Sequence, residues 1–157
     1  MIEAFFNIIK IDLLKNTKLH QHRLAYDIFK LIGIRAEDSQ TSLGLISDPV
    51  NKKYIVLAPI ASFAPKRWPI DSYNRLIQLI LEDDELTDLD IKVLAGPDDT
   101  YVDEIIDHPR VENLRGKTNL EQSSIVIKQS IAVVGNDTGM GHIAEAFNIP
   151  SVVLFGP

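Results

Sequence analysis

Cysteine is absent from the 157 residues, which excludes a disulfide scaffold, a thiolate zinc site and a cysteine nucleophile. Tryptophan occurs once. No run approaches the ~20 apolar residues that cross a bilayer, so no transmembrane segment is expected. Positive charge is scarce: 16 Lys+Arg stand against 22 Asp+Glu, a net charge of −6. A duplex nucleic-acid partner, which needs a basic face to displace counterions, is therefore not expected. The opening MIEAFFNIIKIDLLK lacks a basic start, and it carries Glu3 early and Lys10 and Asp12 inside the apolar stretch. It reads as an amphipathic segment rather than a signal peptide. What is present is ordinary for a globular chain, with 45% hydrophobic and 24% charged residues. A cytoplasmic location fits this composition.

Two regions differ in texture. In 1–51, Leu24, Ile28, Leu31 and Ile32 form a helical stripe, Gly33 stops it, and a polar, turn-rich stretch follows. This region reads as a helical remnant of another domain plus a linker. Its apolar side chains, Phe5, Phe6, Ile8, Ile9, Leu13 and Leu14 among them, would favour self-association through residues 1–50. From residue 52 to 157 the pattern turns regular. Apolar runs at 54–59, 91–96, 111–116, 131–137 and 151–157 alternate with helical segments. One helix is expected behind Pro69 and Asp71, carrying Tyr73, Leu76, Ile77, Ile80 and Leu81 inward, and a second over 99–107. A third should start at a capping box of Thr118 and Glu121, and a fourth should run from Gly139 to Asn148, with Pro150 terminating it. Five strands alternating with four helices predict an α/β fold, a doubly wound, Rossmann-like parallel sheet in the order 3-2-1-4-5. Ligands bind such sheets where strands one and four meet.

That rule names two loops, and both are chemically unusual. Pro59-Ile60-Ala61-Ser62-Phe63-Ala64-Pro65-Lys66-Arg67-Trp68-Pro69 sets a hydroxyl, two cations and the single Trp at a strand end. Gly135-Asn136-Asp137-Thr138-Gly139-Met140-Gly141-His142 runs from a strand straight into a helix. Glycines there permit close approach of backbone to a ligand, and the first helical amides point at whatever lies in front of them. A phosphate or diphosphate suits this pair. A flavodoxin-like or receiver domain would instead bring an acidic cluster to the strand ends.

KRWP after PIAS, the GPDD turn, LRGKTNLE and GNDTGMGHIAEAFNIPSVVLFGP together resemble glycosyltransferase family 9, the lipopolysaccharide heptosyltransferases. The resemblance spans about residues 52–157. It implies the carboxy-terminal, donor-binding half of a GT-B enzyme, in which two Rossmann-like domains face a cleft. It implies an ADP-heptose donor, a lipid-linked saccharide acceptor and work at the inner face of the inner membrane, with no cofactor and no metal. By this resemblance Lys66 and Ser62 would meet the donor phosphates. Asp137 would lie near the sugar hydroxyls, Thr138 and Gly139 would offer helix-start amides, and Asp98 or Asp99 would bind the ribose. His142, one turn into the helix, would either donate to the ligand or sit as a satisfied buried histidine. Lys66 and Asp137 are the candidate catalytic residues, and Arg67 joins Lys66 as a candidate phosphate contact. Ile60 stands where the family usually has Gly, and Met140-Gly141 replaces Pro-Met. The family's acceptor-activating base lies in an amino-terminal domain. The chain thus reads as truncated, and on its own is expected to bind a nucleotide sugar and transfer nothing.

Other polar features read as structural. Trp68 beside Pro69 should anchor its loop by packing. His20 and His22, two apart, fall on different faces of a helix, so a shared metal is not expected. Glu82-Asp83-Asp84-Glu85 reads as a solvated helix end, and His108 as a loop residue.

Overall fold

The computed structural model describes residues 54–155. The segment 1–51, with its helix, linker and self-association surface, lies outside the described residues.

Five short strands form one sheet: β1 (Tyr54–Ala58), β2 (Asp90–Val93), β3 (Val111–Asn113), β4 (Ala132–Asn136) and β5 (Ser151–Leu154). All pairings are parallel, in the order β3-β2-β1-β4-β5, as the apolar runs predict. Three α-helices cover it: α1 (Ile70–Glu82), α2 (Leu120–Lys128) and α3 (Gly139–Ala146).

Alternation along β1 sorts the core into two faces, since successive strand side chains point oppositely. Ile55 and Leu57 join Ile91, Val93, Ala132 and Val134 under α1, which buries Tyr73, Leu76, Ile77 and Ile80. Val56, Leu94 and Val133 face the other way, with Ile127 of α2 and Ala144 of α3. Burial on both faces explains why Ile55–Ala58 of β1 and Ala132–Val134 of β4 are unbroken apolar runs rather than alternating.

Three expectations need correction. The second crossover is not an α-helix but a five-residue 3₁₀ turn, Thr100–Glu104. Val102 and Ile105, three apart, still reach the core, which suits three residues per turn. Continuation is blocked by Asn74 of α1, whose amide donates to Glu104 O at 2.9 Å and accepts from Ile106 N at 3.0 Å. Those are the backbone groups a longer helix would need. Next, α2 is capped one residue later than expected. Asn119 Oδ1 accepts from Gln122 N at 2.8 Å, and Gln122 Oε1 accepts from Asn119 N at 2.9 Å. Thr118 instead pairs with the buried Ser123 hydroxyl at 2.9 Å. Finally, α3 ends at Ala146 rather than Asn148, because Asn148 enters the left-handed region at φ 54°. Asn tolerates that conformation better than most residues, and Ile149 N then closes on Ala144 O at 2.9 Å.

One glycine governs the switch point. Gly135 lies opposite Ala58 in the β1–β4 register. A Cβ there would sit 2.9 Å from both Ala58 Cβ and Ala58 O. The ends of β1 and β4 can therefore meet only because residue 135 has no side chain. This close approach sets the distance between the two loops that follow them.

Candidate functional site

The loop after β1 crosses to α1 through a 3₁₀ turn, Ala64–Lys66, whose residues bury nothing. Ser62, Phe63, Ala64 and Pro65 are exposed. Lys66 Nζ reaches across the switch point to Asp137 Oδ2 at 2.9 Å, in a partly exposed ion pair. The two loops expected to converge do so, and this bond joins them.

Behind the ion pair lies a residue that the sequence reading did not single out. Asn136, 1% exposed at the end of β4, makes three hydrogen bonds across the junction. Its Oδ1 accepts from Trp68 N at 3.0 Å and from the Tyr73 hydroxyl at 3.2 Å, and its Nδ2 donates to Ile60 O at 3.2 Å. Trp68 packs edge-on against Tyr73 with ring centroids 5.0 Å apart, the anchoring role expected of it. Burial drives the Tyr73 hydroxyl far above the ordinary tyrosine range, so it stays protonated as a donor to Asn136.

The adjacent cations part company. Lys66 turns toward Asp137, whereas Arg67 turns away: its Nε donates to Ala61 O at 2.9 Å and its guanidinium stacks 4.3 Å above the Tyr101 ring. The Tyr101 hydroxyl donates to Pro59 O at 3.2 Å, and burial followed by the Asp99 charge raises its pKa. Arg67 and Tyr101 thus brace the first loop against the loop after β2. Of the two cations only Lys66 reaches Asp137, while Arg67 braces the loop through Nε and the face of its guanidinium.

Asp99 Oδ2 accepts from Gly96 N at 3.0 Å, closing its own turn, while Asp98 is exposed beside it. At the start of α3, Thr138 adopts the extended N-cap conformation but its hydroxyl caps nothing. Thr138 Oγ1 is buried without a hydrogen-bond partner among the described residues. An unsatisfied buried hydroxyl is costly, and its presence marks a place where an additional acceptor or donor fits. A Cβ on Gly139 would meet nothing within 4 Å, so the first residue of the helix is open on its Cβ side. His142 is exposed one turn on, with Nδ1 3.8 Å from Glu145 Oε2, which corrects the buried alternative. Ser62, Lys66, Asp137, Thr138 and Gly139 therefore gather at one end of the sheet, with Asp98 and Asp99 on the flank and His142 farther along α3.

This arrangement offers one ammonium, one carboxylate and the unpaired amides of a helix start at one end of the sheet. It can hold an anion and, beside it, a hydroxylated group. Among the described residues no group of three or more His, Asp or Glu could hold a metal ion. No helix among them is long and apolar enough to cross a membrane.

A family model described as glycosyltransferase family 9 (heptosyltransferase) matches residues 12–157. The chain belongs to this family. Lipooligosaccharide heptosyltransferase 2 of Haemophilus influenzae is 35% identical over 111 residues, covering 66% of this chain and 31% of that protein. The chain spans about a third of the length of the curated relatives it matches. Among solved structures, ADP-heptose lipopolysaccharide heptosyltransferase II of Escherichia coli superposes with TM-score 0.58 at 28% identity, over 89% of this chain and 39% of that one. An E. coli heptosyltransferase solved with ADP-2-deoxy-2-fluoro heptose gives TM-score 0.63 at 21% identity, over 88% of this chain and 45% of that one, a likeness of fold. Membership in family 9 agrees with the parallel sheet and its order.

Proposed function

We propose that residues 54–155 form the donor-binding unit of a heptosyltransferase-like enzyme, which takes a nucleoside diphosphate sugar, ADP-heptose, toward a lipopolysaccharide core acceptor. The observation that carries this is the Lys66–Asp137 pair at 2.9 Å beside the open start of α3. A diphosphate placed there would exchange Asp137 for its own oxygens at Lys66 and would meet the amides of Gly139 and Met140. Thr138 Oγ1, buried and unpartnered, would gain an acceptor. Asp137, released from Lys66, would accept from sugar hydroxyls. Asp98 is the better ribose partner, since Asp99 is already bonded to Gly96 N.

In the proposed reaction an acceptor hydroxyl oxygen bonds to the anomeric carbon from the face opposite the diphosphate. The carbon–oxygen bond to ADP breaks, its electron pair leaves on the diphosphate, and the hydroxyl proton passes to a base. Lys66 and the helix amides stabilise the leaving charge, as preorganised donors do where charge develops, without a metal. This reading places the base outside residues 54–155. Those residues by themselves should then bind ADP without transferring sugar.

Calorimetric titration with ADP, beside a transfer assay with ADP-heptose and a core acceptor, tests both halves. Weak ADP binding that Lys66→Ala reduces, with no turnover, is the expected result. Binding indifferent to Lys66 would overturn the site, and turnover would overturn the binding-only reading.

A further inference from the structure

We propose that Asn136 is the positioning residue of this site: it locks the loop 60–68 onto the end of β4 and so holds Lys66 in reach of Asp137. The inference rests on the donor-site reading above and adds to it the device that builds the site.

Lys66 has no apolar anchor of its own, because its 3₁₀ turn buries no residue and the four residues before it are exposed. Backbone bonds only shape the turn locally, from Lys66 N to Phe63 O at 2.9 Å and from Arg67 N to Ala64 O at 2.9 Å. Asn136 grips the same segment on both sides of Lys66, at Ile60 O upstream and Trp68 N downstream. Its backbone continues directly into Asp137, which receives the ammonium. One buried amide therefore fixes both partners of the ion pair.

The chemistry demands asparagine. Trp68 N can only donate and Ile60 O can only accept, so the bridging side chain must present an acceptor and a donor at once. Those fixed partners also settle which end of the amide faces which group. Aspartate would keep the two acceptor contacts but set a carboxylate oxygen against Ile60 O. Alanine or leucine would leave buried groups unpaired, and these are costly. Tyr73, packed on Trp68 and bonded to the same Oδ1, makes the lock part of the core rather than of the surface.

The chain's single tryptophan sits in this loop and reports on it without any ligand. Acrylamide quenching of Trp68 should rise about twofold or more in Asn136→Ala, because the loop gains access to solvent once its anchor is gone. In ADP titrations, Lys66→Ala should weaken binding about fivefold in the wild-type background and less than about twofold in Asn136→Ala, the signature of coupled residues. Leu86→Ala, a fully buried site before β2 at the opposite end of the sheet, controls for loss of stability alone and should leave quenching and the Lys66 effect as in wild type. Should Asn136→Ala not fold, Asn136→Asp replaces it: it is isosteric and keeps the two acceptor contacts, but loses the donation to Ile60 and sets a carboxylate oxygen there instead. Wild-type quenching in the Asn136 variant, or an undiminished Lys66 effect, would overturn the proposal. If the wild-type chain does not bind ADP, the donor reading falls, and the quenching result still decides whether Asn136 holds the loop.

Discussion

Lys66 Nζ and Asp137 Oδ2 stand 2.9 Å apart although 71 residues separate them in the chain. The β1–β4 pairing brings their loops together, and the Gly135–Ala58 approach sets how closely. Both side chains are partly exposed, so the pair adds little to stability, about 0.2–1 kcal/mol. Its consequence lies in the site: the ammonium is held where an anion can replace the carboxylate.

Lys66→Ala should therefore leave the melting midpoint nearly unchanged while weakening ADP binding by about 1 kcal/mol, the size of a partly screened charge-assisted hydrogen bond. The loss should shrink as salt rises, since exposed charges are screened. Titrations at low and high ionic strength measure this directly.

The glycines at 135 and 139 should respond oppositely to alanine. At Gly135 the new Cβ meets Ala58 backbone at 2.9 Å, which cannot yield cheaply. Gly135→Ala should cost about 1–3 kcal/mol in thermal or denaturant unfolding. At Gly139 the Cβ meets nothing within 4 Å. Gly139→Ala should keep stability within about 0.5 kcal/mol, yet reduce ADP affinity by adding a methyl group at the first residue of α3.

Arg110 should separate stability from binding. Its guanidinium donates to Leu81 O at 2.8 Å and to Leu86 O and Thr87 O at 2.9 Å, closing the end of α1 far from the site. Arg110→Ala should destabilise the fold by about 1.5–3 kcal/mol, the range for hydrogen bonds to charged groups, and leave ADP affinity unchanged. Denaturant midpoints and titration of the same preparation check both.

Alkaline pH should weaken the fold through Tyr54. Burial, then the nearby Glu112 charge, raises its pKa from 10.0 to about 12. The unfolded chain releases this proton first, so stability is intact below pH 10.0 and falls as pH rises toward about 12. In Tyr54→Phe that part of the decline should disappear, as judged by denaturant midpoints across the range. Phenolate absorbance should show Tyr54 ionising late.

The strand order was legible because β1 and β4 are buried on both faces, so Ile55–Ala58 and Ala132–Val134 spell unbroken apolar runs. Convergence of the two loops that carry Lys66 and Asp137 followed from that order. The α2 cap was misplaced by one residue because Thr118 and Asn119 are both cap-forming types. What separates them is the buried Ser123 hydroxyl that takes Thr118, a tertiary fact. The 3₁₀ crossover was missed for a similar reason: Asn74, thirty residues away, occupies its backbone groups. Asn136 was passed over because an asparagine in Gly-Asn-Asp-Thr looks like a turn residue. Its partners, Ile60, Trp68 and Tyr73, lie more than sixty residues earlier, and no local pattern points to them.

The central claim, that a diphosphate is held between Lys66 and the start of α3, is tested most directly by following backbone amide resonances during ADP titration. The account predicts the largest shifts at Ser62, Lys66 and Thr138 through Gly141, with those responses weakened in Lys66→Ala. Shifts confined to other parts of the sheet, or none at millimolar ADP, would contradict it.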